Sequence, residues 1–255
     1  MTVAGIDVGA KTVKVVLLNE KSLLGKSKVL TGFDQMKSVN EALDEVLSKT
    51  HTKREDLVRI ISTGVGGKVV DFTSETIPEV RAAALGINHL LPNVRTVIDI
   101  GAEEGRAAKC SPEGKVVDFV INEKCSAGAG VFVEAMARAL EVKLEDMGPM
   151  SVRATKAVPM NAQCSVFAES EVVSLIHAGT SKEDISRAIH DAIASRIASM
   201  VRRIGIENDV AIIGGVAKNV GFTDSLKRIL GLSKLIIPQD PEFIGALGAA
   251  LSCMN

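Results

Sequence analysis

Two cysteines and three glycine turns are the residues of this chain best placed to do chemistry. Cys125 lies in the stretch V-I-N-E-K-C-S-A-G-A-G-V-F-V, residues 120–133. A strand-like run leads into the cysteine, a small turn through Gly128, Ala129 and Gly130 follows, and a helix begins. A thiolate at a helix start is favoured by the orphan amides and the helix dipole, and the same amides can face an anion. Cys164 repeats the arrangement, since A-Q-C-S-V-F-A-E places one cysteine just before a second helix. The three turns are Asp7-Val8-Gly9-Ala10-Lys11-Thr12, Asp99-Ile100-Gly101-Ala102-Glu103-Glu104 and Ile213-Gly214-Gly215-Val216-Ala217. An aspartate at a strand end beside such a turn can orient the waters of a Mg²⁺, while the turn amides hold phosphate oxygens. A lone Asp-x-Gly turn mostly just reverses the chain. Two acidic turns in similar settings, with a Gly-Gly turn ahead of a helix, point to a nucleotide.

The elements that must position these residues come in two cycles. Short apolar runs at residues 3–6 and 13–18 read as a hairpin around the first turn, and 24–30 completes a meander. A helix is expected over 38–49, a strand over 58–62, a glycine turn over 63–67 and a helix over 79–90 that Pro92 ends. The second cycle has strands at 96–100, 106–110 and 116–121, then helices at 130–140, 164–178 and 182–204. A strand at 210–213 runs into the Gly214-Gly215 turn, a helix covers 219–230, a last strand 235–237, and a closing helix 243–253. The chain therefore reads as two half-domains, 1–92 and 93–238, each a β-meander with helices, with 239–255 returning to the first.

Composition narrows the classes. The chain has 255 residues, 46% of them hydrophobic, a net charge of −1 and four cysteines. Mean hydropathy is +0.24. Such a chain is well cored. No basic run exceeds Arg202-Arg203, so no nucleic-acid partner is expected. No apolar run reaches the ~18 residues of a membrane span. Without a signal-peptide pattern a cytoplasmic location is expected, where the cysteines are not a disulfide framework. Trp and Tyr are absent, so cofactor colour would be easy to see.

The Asp7, Asp99 and Gly214-Gly215-Val216 turns resemble those of the actin, sugar kinase and Hsp70 ATPase superfamily. Within it, N-E-K-C-S-A-G-A-G, C-S-V-F-A-E-S-E-V, I-I-G-G-V-A-K-N and the terminal G-A-L-G-A-A-L resemble the activator ATPases of 2-hydroxyacyl-CoA dehydratases and class I benzoyl-CoA reductases, over nearly the whole chain. The resemblance implies an α/β, actin-like (ribonuclease H-like) fold with the nucleotide in a cleft between the halves. It implies ATP or ADP, Mg²⁺, and one 4Fe–4S cluster per dimer, held by Cys125 and Cys164 of each of two chains. Two thiolates per chain cannot complete a four-thiolate cluster, whereas a two-fold dimer can. The partners implied are a second activator subunit, in a homodimer or heterodimer, the acyl-CoA reductase or dehydratase itself, and a low-potential ferredoxin or flavodoxin as donor. ATP hydrolysis would drive the electron forward.

By the same match, Asp7 and Asp99 would hold Mg²⁺ through water. Gly9, Ala10, Lys11, Thr12 and Lys14 of the first turn would bind nucleotide, with Gly101 and Ala102 of the second, Gly128, Ala129 and Gly130 beside Cys125, and Gly214, Gly215, Val216 and Asn219 near adenosine. Of Lys11 and Lys14, one could reach a phosphate. Asn219 could contact adenosine or cap its helix. Glu103 or Glu104 could position the attacking water or act as base, although a glutamate near phosphates also repels them. Dehydratase activators typically carry Gly-Gly-Gln-Asp at the second turn. Gly-Ala-Glu-Glu looks more like the smaller ATPase subunit of benzoyl-CoA reductase, which makes a reductase subunit the leading expectation and a homodimeric dehydratase activator the alternative. The first turn also departs, with Ala10 where many members carry a hydroxyl. Cys110 and Cys253 read as small buried residues. The four scattered histidines read as packing or surface groups. More remote readings are a small-molecule kinase of the same superfamily and a non-redox, actin-like switch or filament protein.

Overall fold

A computed structural model describes residues 1–122, 130–160 and 165–254. They fall into two compact units: Met1–Val97 with Ala108–Asp118 and Pro238–Asn255, and Ile98–Ala107 with Phe119–Ile237.

The first unit opens with the expected meander, β1 (Thr2–Val8), β2 (Thr12–Asn19) and β3 (Ser22–Leu30). β1 and β2 pair antiparallel in a register that sets Asp7 opposite Lys14 and Val8 opposite Val13. Helix α1 (Gln35–Thr50) follows, started by Asp34, whose carboxylate accepts the Lys37 N–H at 3.0 Å. It is a side-chain N-cap of the kind that supplies about 1 kcal/mol. α1 leads to β4 (Leu57–Thr63), parallel to β1, and then to the two-residue β5 (Glu75–Thr76) and α2 (Glu79–Leu90). The strand order is β3-β2-β1-β4-β5.

Period-two alternation meets helical spacing in the core of this unit. Ala4, Ile6, Val8, Val13, Val15 and Leu17 bury against Val39, Ala42, Leu43 and Val46 of α1. The alternate residues Val3, Val16 and Leu18 face the other way, onto Ala246, Ala250 and Leu251. Those three belong to α8 (Ile244–Leu251), the chain's return to its first unit. α8 also packs tightly on α2. A Cβ added at Gly248 would stand 1.7 Å from the Ala82 carbonyl oxygen, so only a glycine admits this approach.

A second, four-stranded sheet repeats the pattern. β6 (Thr96–Ile100), β7 (Gly105–Cys110) and β8 (Val116–Asn122) are joined by β9 (Val210–Ile213) in the order β8-β7-β6-β9, which matches β3-β2-β1-β4 strand for strand. The second unit's helices are α3 (Gly130–Ala139), α4 (Leu144–Val152), α5 (Ser165–His177), α6 (Lys182–Ile204) and α7 (Val220–Leu230). The Ser181 hydroxyl caps α6, acidic residues fill its first turn and Arg202 and Arg203 its last, so both ends complement the helix dipole. Ile185, Ile189, Ile193, Ile197 and Val201 form the buried stripe, against Phe132, Met136, Met147 and Phe222.

Three expectations are adjusted. Helix α4 is not evident in the sequence, because Gly148 and Pro149 interrupt its pattern. The strand expected at 235–237 contracts to one bridge, Ala211 to Ile236, with Pro238 lacking the N–H that would extend it. The closing helix is shorter than 243–253, since Pro241–Phe243 forms a 3₁₀ turn ahead of α8. Among the described residues, no helix is long and apolar enough to cross a membrane.

Candidate nucleotide site

The two acidic turns are built alike. Asp7 is the penultimate residue of β1, and the hairpin register places Lys14 directly across from it. The Lys14 ammonium meets the Asp7 carboxylate at 3.0 Å. Asp99 is the penultimate residue of β6, and again the partner lies seven residues on: Arg106 of β7 meets its carboxylate at 3.5 Å. Each aspartate is also covered by a glycine from elsewhere in its own unit. A Cβ added at Gly64 would stand 2.5 Å from Asp7 Oδ1 and 2.5 Å from the Val8 carbonyl oxygen. At Gly214 the corresponding distances are 2.7 Å to Asp99 Oδ1 and 2.3 Å to the Ile100 oxygen. Gly214 also has φ +86°, in the left-handed region, so a side chain is excluded both by backbone and by space.

Local hydrogen bonds fix the loops. In the first turn Gly9 N–H donates to the Thr12 carbonyl at 3.1 Å, and Thr31 ties both ends, its hydroxyl donating to the Gly9 carbonyl and its N–H to that of Lys11. Ala10 is half-buried at the turn and Lys11 is exposed. In the second turn Gly101 N–H donates to the Glu104 carbonyl at 2.9 Å. The Glu104 carboxylate lies 2.5 Å from Arg106, while Glu103 is exposed.

The start of α3 is engaged with this turn. Gly130 N–H donates to the Gly101 carbonyl and Val131 N–H to that of Ala102, both at 2.9 Å. The Gly130 amide, expected to face phosphate, thus has a protein acceptor. Cys125, Gly128, Ala129 and Cys164 lie outside the described residues. On the approach to Cys164, the buried Asp184 carboxylate accepts the N–H groups of Thr155 and Lys156, both at 2.9 Å. The Lys156 amide, then the Ser181 hydroxyl and the Thr155 amide, hold this carboxyl below its ordinary pKa.

The third turn is held by α7. Asn219 Oδ1 accepts the N–H groups of Gly221 and Phe222 at 3.0 and 3.1 Å, an N-cap, and its Nδ2 lies 3.0 Å from His190 Nε2. With the Asn219 oxygen occupied by two donors, its nitrogen must donate, so His190 Nε2 is an acceptor and the ring is neutral. Burial, the largest cause, pushes the His190 pKa down to about 4, against opposing effects of Asp191 and the Ser186 backbone. His190 is a packing group, as expected. Cys110 is buried, which pushes its thiol up to about 11 against the smaller effect of Arg95; the Cys253 thiol is raised too, chiefly by burial. Neither is a ready thiolate.

A Cβ at Gly9 would crowd the Lys14 ammonium, whereas the space beside Gly215 is open. Each aspartate already has a cationic partner within its own hairpin. Among the described residues, no group of three or more His, Cys, Asp or Glu could hold a metal ion. The residues that sequence reasoning missed are Arg106 and Gly64. Their signals were an arginine among the small residues that open β7 and the glycine that follows β4.

Residues 4–253 match the family described as BadF/BadG/BcrA/BcrD ATPases. The chain belongs to that family. It is 38% identical over 249 residues to the (R)-2-hydroxyglutaryl-CoA dehydratase activating ATPase of Acidaminococcus fermentans, covering 97% of this chain and 95% of that one. To one of the subunits of benzoyl-CoA reductase from Thauera aromatica it is 30% identical over 258 residues, covering 97% and 91%. Among solved structures it resembles the activator of 2-hydroxyisocaproyl-CoA dehydratase from Clostridium difficile with bound ADPNP, with TM-score 0.94, 33% identity, and 100% and 94% of the two chains covered. The actin-like ATPase fold, shared with the sugar kinases, is therefore this chain's fold. The Gly-Ala-Glu-Glu turn favoured a reductase subunit, but full-length identity favours the dehydratase activators. One four-residue turn weighs less than some 250 aligned positions.

Proposed function

We propose that this member of the BadF/BadG/BcrA/BcrD ATPases is the ATP-hydrolysing activator of a 2-hydroxyacyl-CoA dehydratase. The observation that carries the reading is the full-length identity to a dehydratase activating ATPase, higher than to the reductase component. The Asp7 and Asp99 turns would orient the waters of Mg²⁺ on the phosphates of ATP, with Lys14 and Arg106 holding the two carboxylates in place. The Gly214-Gly215 turn would receive the adenosine. Cys125 and Cys164 would supply two thiolates, and a second copy of the chain the other two, for one 4Fe–4S cluster. Bound there, the cluster would carry one low-potential electron from a ferredoxin or flavodoxin toward the dehydratase. The chain's own contribution is to bind and hydrolyse ATP and to pass the change at the phosphates to the helices that follow the two cysteines.

Anaerobic purification tests this. About two irons per chain and a visible absorption that air bleaches are expected. Cys125→Ala and Cys164→Ala should each abolish both while leaving ATP binding intact. Iron retained in both variants would remove the cluster assignment. Mixing the protein, Mg-ATP and a reductant with a purified dehydratase should start dehydration of the 2-hydroxyacyl-CoA. Activation of a benzoyl-CoA reductase core instead would reverse the choice of partner.

A further inference from the structure

The second turn carries more negative charge than the first. Asp99, Glu103 and Glu104 fall within six residues, at a place proposed to hold polyanionic phosphate. A cation lies among them. Arg106 is buried, and its guanidinium reaches Asp99 at 3.5 Å and Glu104 at 2.5 Å. The first turn has no such acidic pair after its glycine, and there the ion pair at the strand end joins Lys14 to Asp7. The arginine fork can grip two carboxylates at once, which an ammonium does less well. It also holds Glu104 at the point where the Glu104 carbonyl closes the turn onto Gly101.

We propose that Arg106 is the positioning residue of the second turn. It neutralises Glu104 and fixes it as part of the scaffold, which leaves Glu103 as the carboxylate that orients the attacking water. The two glutamates are adjacent in sequence but differ in role. Glu104 is half-buried and bound to the guanidinium, and Glu103 is exposed. A neutralised Glu104 also explains how a phosphate turn tolerates two glutamates: the repulsion each would exert on the γ-phosphate is cut to that of one. This inference rests on the reading of the Asp99 turn as a phosphate turn. It is independent of which acyl-CoA enzyme is the partner.

Steady-state ATP hydrolysis by the purified protein, as isolated and with no dehydratase present, tests it. Failure of the activator reading therefore leaves the measurement intact. Arg106→Met should raise the KM for Mg-ATP about tenfold, the worth of a charged hydrogen bond. Adding Glu104→Gln to Arg106→Met should recover most of that rise, because the exposed charge is removed with its counter-ion. Arg106→Lys should lie between wild type and Arg106→Met. Glu103→Gln should lower kcat on the order of 100-fold with KM little changed, and Glu104→Gln should lower kcat by less than about tenfold. Circular dichroism checks that each variant folds, and if Arg106→Met does not, Arg106→Lys with and without Glu104→Gln replaces it. No recovery in the double variant would show Arg106 to be merely structural and overturn the proposal. So would equal losses of kcat in Glu103→Gln and Glu104→Gln.

Discussion

Val131 donates its backbone N–H to the carbonyl of Ala102 at 2.9 Å. With the neighbouring bond from Gly130 to Gly101, it fastens the start of α3 to the second acidic turn. Five residues before Gly130 in the chain is Cys125. On the proposed reading, a shift of this turn on phosphate release would be felt at the start of α3.

Val131→Pro isolates this link. Proline is accepted in the first turn of a helix, but it has no N–H to give Ala102. We expect ATP hydrolysis within about threefold of wild type and ATP-driven electron delivery to the dehydratase reduced about fivefold or more, the worth of one hydrogen bond. Measuring both rates on one preparation decides it. Electron delivery that falls only in step with hydrolysis would show that the signal takes another route.

The likeness of the Asp7–Lys14 and Asp99–Arg106 pairs predicts that the two aspartates are equally necessary. Asp7→Asn and Asp99→Asn should each cut kcat for ATP on the order of 100-fold. ADP, lacking the γ-phosphate, should bind both variants within several-fold of wild type, as read by calorimetry. Full turnover in either variant would break the proposed equivalence.

Gly248→Ala probes the seam between α8 and α2. The new methyl group would meet the Ala82 carbonyl oxygen at 1.7 Å, and backbone on both sides must move. Overpacking of this kind costs about 1–3 kcal/mol, and more where no side chain can swing aside. Thermal unfolding should show the midpoint falling by roughly 3–10 °C. An unchanged midpoint would mean that α8 is held less closely than its packing on α2 and β1 indicates.

His190 predicts a pH dependence of stability. The folded protein keeps the ring neutral down to about pH 4, while the unfolded chain takes up its proton near 6.5. Between those values the unfolded state binds more protons, so stability falls as pH drops through that window. From pH 7.5 to pH 5 this one group should cost the fold about 2 kcal/mol. His190→Gln keeps an acceptor for Asn219 and should remove that increment, seen as a smaller difference between urea unfolding curves at the two pH values. An identical pH dependence in the variant would place the titration elsewhere.

Much of the fold was legible because local pattern and tertiary need agree. Val13, Val15 and Leu17 alternate as a half-buried strand should, and Ile185, Ile189, Ile193 and Ile197 fall on one face of α6. α4 was hidden because Gly148 and Pro149 argue locally against a helix that packing nevertheless stabilises. The acidic turns were visible as sequence, but their counter-ions were not. Lys14 and Arg106 stand seven residues from their aspartates, a spacing that carries no periodic signal and acquires meaning only from the hairpin. The glycines over the aspartates come from much further along the chain, 57 residues after Asp7 and 115 after Asp99, by subtraction of their numbers. Such contacts are products of the topology. The assignment of Cys125 and Cys164 rests on motif alone, since both lie outside the described residues.

The return of α8 to the first sheet also fixes an order of assembly on the ribosome. Residues 119–237, most of the second unit, are made before the segment that covers Val3, Val16 and Leu18. Until α8 emerges, those side chains have no permanent cover, so the part of the protein synthesised first is the part completed last. A nascent chain stalled before residue 244 would thus present an apolar sheet face to chaperones, and truncations there should be recovered in aggregates rather than as a stable first half.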